Sequence, residues 1–458
     1  MLDPIQLLKE YVSYASVSTD EKYDEGMRKS REFVCNHLKT LGFEINIVET
    51  PKHPIIFAKR GNDKDSPHIM LYAHYDVQPA DPLELWDSDP FKPEIRGDRL
   101  YGRGTADNKG PFIIQLCGLA RVLEKYPDLP LNITFLIEGE EEIGSPSFPE
   151  FLKNYKEKLQ DAEAILISDT ASISRDQLVV TTSLRGLVDL EIRVTGPDRD
   201  LHSGLYGGPI MNPIQALAEL CASLHTAEGL VNIPGFYDDV MPPELWEREE
   251  LKKYPLDDES YRKFLGVPVL MPPKGFTALE SSRFAPTLEF NGIGGGYQEK
   301  GSKTIIPSTA FAKITCRLVA NQKPEKIIEL VVKALKERCP KGVKLDISVK
   351  GGGEPYLVIP PNRSSLRVES EPTLEKTFKA VDDSVQEVFK NPPLYLREGG
   401  SIPIIGQIKS VTGLDSILLG LFVGEDNLHS PNESFDLKLM ERGIDVYEEI
   451  FRRLAGLS

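Results

Sequence analysis

The sequence predicts an α/β protein: a mostly parallel sheet with helices on both faces, plus an inserted ferredoxin-like β-α-β-β-α-β unit. Three observations lead there. Short apolar runs alternate with stretches of helical length, the order that builds a parallel sheet. The runs at 68–73, 131–137 and 164–168 are apolar almost throughout, as strands buried on both faces must be. Between 187 and 349 the order changes to strand, helix, strand, strand, helix, strand, the pattern of a small independent domain. At 458 residues the chain is in any case too long for one ordinary core.

In chain order, Asp3-Pro4 opens a first helix with Ile5, Leu8 and Val12 on one face. A second runs from about 26 to 41 and stops at Gly42, a residue suited to the position beyond a helix end. Residues 43–48 alternate like a strand. The 68–73 strand runs straight into His74-Tyr75-Asp76-Val77-Gln78-Pro79. A Gly- and Asp-rich stretch, 99–110, precedes Pro111, which marks the start of a helix continuing to Val122. The 131–137 strand ends in Glu138, Gly139 and three consecutive acids, Glu140, Glu141 and Glu142. The 164–168 strand ends against Asp169. The middle unit comprises strands at 187–195, 286–291, 309–319 and 343–349, with helices at 213–224 and 324–337. A Pro- and charge-rich insertion at 229–284 has no legible role. A helix from about 371 to 389 leads back to the first domain, and 416–423 is the last apolar strand.

The formal charge, 54 − 70 = −16, argues against a nucleic-acid-binding surface. No apolar run approaches the roughly 18–20 residues of a membrane span, and the first ten residues read as an amphipathic helix and not as a signal peptide. Cys35, Cys117, Cys221, Cys316 and Cys339 are scattered, with no Cys-x-x-Cys. A cytoplasmic setting is therefore expected, without a disulfide framework or zinc–thiolate site. The glycine run at 292–296 lacks the strand–turn–helix setting of a nucleotide loop.

The chemistry gathers at strand ends. Apolar strands deliver His74, Asp169 and His429 at or just past their C-terminal ends, the 131–137 strand delivers the acids, and Asp107 sits at a helix entrance. Open α/β sheets collect ligands on that side. Adjacent acids repel unless a cation joins them; taken alone, they also suit a solvated acidic loop. Imidazole and carboxylate donors suit zinc, manganese or cobalt. Two ions about 3.5–4 Å apart need a shared carboxylate, and His74, Asp107, Glu142, Asp169 and His429 provide one bridge and two further ligands for each ion. Asp76 is better placed to orient His74 through its far N–H. One glutamate of the cluster is then free to act as a base.

These motifs, with Asp107-Asn108-Lys109-Gly110, Asp200-Leu201-His202-Ser203-Gly204, Lys303-Thr304, Arg397-Glu398-Gly399-Gly400-Ser401 and His429-Ser430-Pro431-Asn432-Glu433, resemble a dinuclear metallohydrolase family. Its members include carnosinases, acetylornithine deacetylase, succinyl-diaminopimelate desuccinylase and glutamate carboxypeptidase, and the cytosolic carnosinase-like dipeptidase branch is the nearest in motif. The resemblance spans about 71 to 433. It implies that Asp107 bridges two ions, zinc first and manganese or cobalt as alternatives, with His74 and Asp169 on one and Glu142 and His429 on the other. It also implies a cis peptide at Asp107-Asn108, Glu141 as general base and Asp76 as the residue orienting His74. His202 would act from the partner subunit of a homodimer on the tetrahedral oxyanion. Arg317 would grip the free C-terminal carboxylate of a small peptide, with Thr304 and Ser401 as further substrate contacts. The implied division is a catalytic domain at 1–182 and 398–458, with a lid and dimerisation domain at 183–397. An N-acyl-amino-acid deacylase is the alternative within the family. A non-catalytic binding protein on the same scaffold is the alternative outside it, although every ligand and base position is filled.

Overall fold

The computed structural model describes residues 2–361, 363 and 372–457. Among them, Glu44–Val48, Ile55–Arg60, Asn132–Glu138, His68–His74, Ala164–Ile167, Ser416–Leu419, Val179–Leu184 and Tyr356–Leu357 lie side by side in that order, and Leu394–Arg397 also pairs with Val179–Leu184. The four middle strands, from Asn132–Glu138 to Ser416–Leu419, are parallel. Their C-terminal ends therefore share one edge. The outer pairings at Glu44–Val48, Ile55–Arg60, Val179–Leu184 and Tyr356–Leu357 are antiparallel. His68–His74 and Asn132–Glu138 are buried at every residue, which is why they are so uniformly apolar.

The connections put helices on both faces. The chain steps one way from His68–His74 to Asn132–Glu138 through Gly110–Lys125, then back across to Ala164–Ile167 through Phe148–Leu159. Right-handed crossovers in opposite directions place those two helices on opposite faces. Gly110–Lys125 packs with Leu437–Leu454, which in turn meets Pro372–Phe389, while Phe148–Leu159 packs with Pro403–Thr412. The start anticipated for that third helix, Glu371, lies outside the described residues. Local signals act as read: the Asp3 carboxylate accepts from the Ile5 and Gln6 amides at 3.0 and 3.1 Å, and Gly42, at φ +83°, ends the second helix. The anticipated 416–423 strand is instead broken after Leu419, and Phe422–Val423 pairs with Ala171–Ser172. Gly420 makes that close passage: a Cβ there would lie 2.5 Å from the Ala171 carbonyl oxygen.

A second sheet has the order Thr287–Gly295, Thr309–Leu318, Gly186–Thr195, Lys344–Gly353 and is antiparallel throughout. With Pro213–Ser223 and Pro324–Arg338 it encloses its own hydrophobic core. Gly186–Thr195 alternates buried and more exposed residues, as a strand covered on one face should. Residues 229–284 carry three short helices, Leu245–Leu251, Asp258–Leu265 and Ala278–Phe284. Leu251, Leu279 and Phe284 form a third small core with Val179, Leu394 and Leu396 of the large sheet. Arg397 and Glu247 seal that junction with a buried bidentate pair at 2.6 and 2.8 Å. Segment 183–397 thus holds residues of more than one core, because Tyr356–Leu357 and Leu394–Arg397 pair into the large sheet. Among the described residues, no helix is long and apolar enough to cross a membrane.

Candidate active site

At the C-terminal edge of the parallel strands, His74 Nε2 lies 3.0 Å from Asp107 Oδ1 and 3.8 Å from Asp169 Oδ1. On the other side of Asp107, Oδ2 lies 2.9 Å from His429 Nε2, which is 3.4 Å from Glu142 Oε2. Two groups of three potential ligands, His74/Asp107/Asp169 and Asp107/Glu142/His429, therefore share Asp107. Each is delivered by backbone geometry. His74 is the last residue of its strand and Asp169 lies two residues past Ala164–Ile167. Glu142 sits in the short turn after Asn132–Glu138, and His429 adopts φ +59° in the loop beyond Val423. The Asp107-Asn108 peptide is cis.

Neighbours hold these side chains in place. Asp76 lies on the far side of His74, whose Nδ1 is 3.1 Å from the Asp76 carbonyl oxygen and 3.4 Å from its carboxylate. The Asp76 carboxylate also accepts from Ser18 Oγ at 2.7 Å and from the Glu142 amide at 3.0 Å. Asn108 Nδ2 donates to Asp169 at 3.0 Å, and Gln78 Nε2 to Glu142 at 2.9 Å. Glu433, fully buried, accepts from the amides of Gly104, Ala106 and Asp107 at 2.9, 2.9 and 3.1 Å and from Arg103 at 2.6 Å. That carboxylate ties the His429 loop to the Asp107 turn. Gln78, Asn108 and Glu433 stand in the motifs quoted above without these roles and Ser18 in none, because a bond to a backbone amide or to one carboxylate oxygen has no spacing signature.

The electrostatics suit a cation. Burial, reinforced by Asp107, pushes the Glu142 carboxyl up to about 10, and burial raises Glu141 well above the usual carboxylate range. Burial also works against ionisation of Asp107, but hydrogen bonds from His429 and His74 hold its carboxyl well below the usual range. Among the described residues no lysine or arginine forms an ion pair with Asp107, Glu141, Glu142 or Asp169; His74 pairs with Asp107 and Asp169, and His429 with Asp107 and Glu142. Glu142 Oε1 and Asp76 Oδ1 are buried without a hydrogen-bond partner. Carboxylate and imidazole donors gathered around a buried Asp107, with His429 on the open side and negative charge left uncompensated, fit a divalent metal ion.

The remaining candidates fall in two places. Arg317, on Thr309–Leu318, donates to Ser401 Oγ at 2.8 Å, and that hydroxyl donates to the Arg185 carbonyl at 2.5 Å. Arg185 stands between the last strand of one sheet and the first of the other, and its Nε donates to the Gly399 carbonyl at 2.8 Å. His202 and Thr304 lie apart from these, exposed on a small ribbon where Leu201–His202 pairs with Ile305–Ile306. The His202 ring accepts from the Gly204 amide at 3.0 Å, and the Thr304 carbonyl accepts from the Ser203 amide at 3.0 Å. The described contacts bring neither residue to Asp107.

Comparison with known proteins follows the same lines. The profile of peptidase family M20/M25/M40 matches residues 70–453. The chain is 30% identical to the Beta-Ala-His dipeptidase of Homo sapiens, covering 99% of this chain and 90% of that one. It is 30% identical to the Cys-Gly metallodipeptidase DUG1 of Candida albicans, over 94% and 90%. Among solved structures, an M20 family metallo-carboxypeptidase from Sulfolobus solfataricus superposes with a TM-score of 0.85 at 30% identity, covering all of both chains. With matching motifs, fold and family profile along nearly its whole length, this chain belongs to peptidase family M20/M25/M40.

Proposed function

We propose that the protein is a metal-dependent dipeptidase whose general base is Glu141. The observation that carries this reading is the Glu141 carboxylate: it is half-buried, close enough to Asp169 and Asp107 to feel their charge, its pKa is raised by desolvation, and no described residue donates a hydrogen bond to it. One divalent ion would be held by His74, Asp107 and Asp169 and a second by Asp107, Glu142 and His429. Zinc fits these donors first, and manganese or cobalt fit them too. When bound, such ions supply Lewis acidity and lower the pKa of a coordinated water. Glu141 takes the proton of the attacking water and returns it to the departing amine. Asp76 orients His74. Arg317, held by Ser401, binds the free C-terminal carboxylate of the substrate through its planar guanidinium.

We place the catalytic domain at 1–182 and 398–458, completed by the strands Tyr356–Leu357 and Leu394–Arg397 and the helix Pro372–Phe389 that pack into it, and a lid and dimerisation domain in the rest of 183–397. His202 of the partner subunit, with Thr304 on the same ribbon, reaches the substrate in a homodimer and stabilises the oxyanion. Dipeptide substrates are supported by relatives named for Beta-Ala-His and Cys-Gly dipeptides. Those names do not favour the N-acyl-amino-acid deacylase alternative. Five free cysteines support a cytoplasmic setting. The test is chelated protein re-supplied separately with Zn²⁺, Mn²⁺ and Co²⁺, assayed on a dipeptide and on an N-acetyl amino acid. Metal should restore dipeptide cleavage; restored cleavage of the acyl compound alone would sink the dipeptidase reading.

A further inference from the structure

We propose that Arg185 and Arg317 together form a subsite for two carboxylates, which makes the protein selective for dipeptides ending in aspartate or glutamate. The proposal rests on the dipeptidase reading, in which Arg317 takes the C-terminal carboxylate, and it assigns the acidic side chain to Arg185. Both guanidiniums line one cavity of about 430 Å³, whose polar wall includes Thr287, Asn291 and Thr315. Its far wall, Met271 and Pro273, comes from the 229–284 insertion.

Neither arginine forms an ion pair among the described residues. Burial, and then the positive charge of Arg317, lower the pKa of Arg185 to about 10. Two guanidiniums lining one cavity with no direct ion pair repel each other, and a guest anion reduces that cost. Glu289 lines the same cavity and Glu398 is nearby, but Glu398 spends one carboxylate oxygen on the Gly399 amide at 2.9 Å. Arg283 also adds positive charge from beside the cavity.

The hydrogen bonds show which atoms are free. Ser401 spends its proton on the Arg185 carbonyl and its lone pair on Arg317, and Arg185 spends only its Nε–H, on Gly399. The terminal amino groups of Arg185 have no described protein acceptor. A planar pair of N–H groups in that state is matched to a carboxylate. A neutral amide side chain of the same shape would leave the charge uncompensated, which is how a polar pocket discriminates.

The test compares Gly-Glu with Gly-Gln, near-isosteres that differ in charge, on the metal-loaded enzyme and on Arg185→Gln and Arg185→Lys. Wild type should favour Gly-Glu in kcat/KM by at least about tenfold, the size of one charge-assisted hydrogen bond. Arg185→Gln should lose the preference, and Arg185→Lys, which disturbs the Gly399 contact but keeps the charge, should retain part of it. In parallel, calorimetry of glutarate binding to metal-free protein should show weaker binding in Arg185→Gln than in wild type. Equal ratios in wild type and Arg185→Gln, or unchanged glutarate binding, overturn the proposal and leave the dipeptidase reading standing. If metal-loaded wild type cleaves no dipeptide, that reading falls and the proposal falls with it.

Discussion

Four glutamates in five positions, 138 to 142, have four different surroundings. Glu138 accepts from Tyr72 and Ser145 at 2.8 and 2.9 Å, and burial pushes its carboxyl up to about 8. Glu140 accepts from Thr50, the His53 amide, and both the amide and hydroxyl of Ser147, so its work is to fix loops. Glu142 points at Asp107 and His429. Glu141 alone has no described donor, so its lone pairs remain available for a proton. Glu141→Gln keeps the shape and removes the base, and kcat should fall by about 10²–10⁴-fold. Metal content by mass spectrometry should be unchanged; a rate within tenfold of wild type would refute the assignment. Glu142→Gln should behave differently and lose bound metal, which the same measurement reads. The sequence marked this stretch as chemical because acids follow an apolar strand. The separate roles depend on which donors surround each carboxylate, and beside the nearby Ser145 and Ser147 those donors come from residues 50, 53 and 72, far away along the chain.

The same limit applies to elements. Strands His68–His74, Asn132–Glu138 and Ala164–Ile167 were legible because burial on both faces demands continuous apolar runs. Val179–Leu184 is equally buried, yet its Thr181, Thr182 and Ser183 hide it from a hydrophobic reading. The 229–284 insertion was unreadable because its helices are short and it splits its apolar residues between two cores, Val231, Ile233 and Phe236 in that of the smaller unit and Leu251, Leu279 and Phe284 against Val179, Leu394 and Leu396. Its anchor is electrostatic as well as apolar. Arg397 forms the bidentate pair with Glu247, and its guanidinium stacks 5.1 Å from the Phe284 ring centroid. Removing one partner leaves a buried charge, so Arg397→Met should cost about 3–5 kcal/mol, and adding Glu247→Leu should recover much of the loss. Thermal or denaturant unfolding of the two variants decides it: a double variant no more stable than the single one would show that the pair does not anchor the insertion. Because Arg397 leads directly into Gly399 and Ser401, the single variant should also raise KM through Arg317's loss of its Ser401 contact.

For the whole molecule, the question is what a single chain leaves undone. His202 and Thr304 are exposed, and the hydrogen bonds around them stay within their own ribbon. Leu205, Tyr206, Ile293 and Tyr297, all in or beside the smaller unit, are large apolar side chains left substantially exposed, and apolar surface of that kind marks interaction sites. A two-fold dimer through this unit would cover that surface and carry each ribbon to the other subunit's site, because an isologous interface exchanges the same element in both directions. Complementation tests the idea without further structure. His202→Ala and Glu141→Ala subunits should each be nearly inactive alone. In their heterodimer one site combines the intact Glu141 of one chain with the intact His202 of the other. With free exchange at equal amounts, half the dimers are mixed and each has one complete site, so roughly a quarter of wild-type activity should return. A His202 that served its own chain's Glu141 would predict no complete site in any dimer, since the His202→Ala chain lacks one residue and the Glu141→Ala chain the other. Inactive mixtures, with exchange demonstrated by differently tagged subunits, would return His202 to a surface role and leave the oxyanion without a donor from the lid.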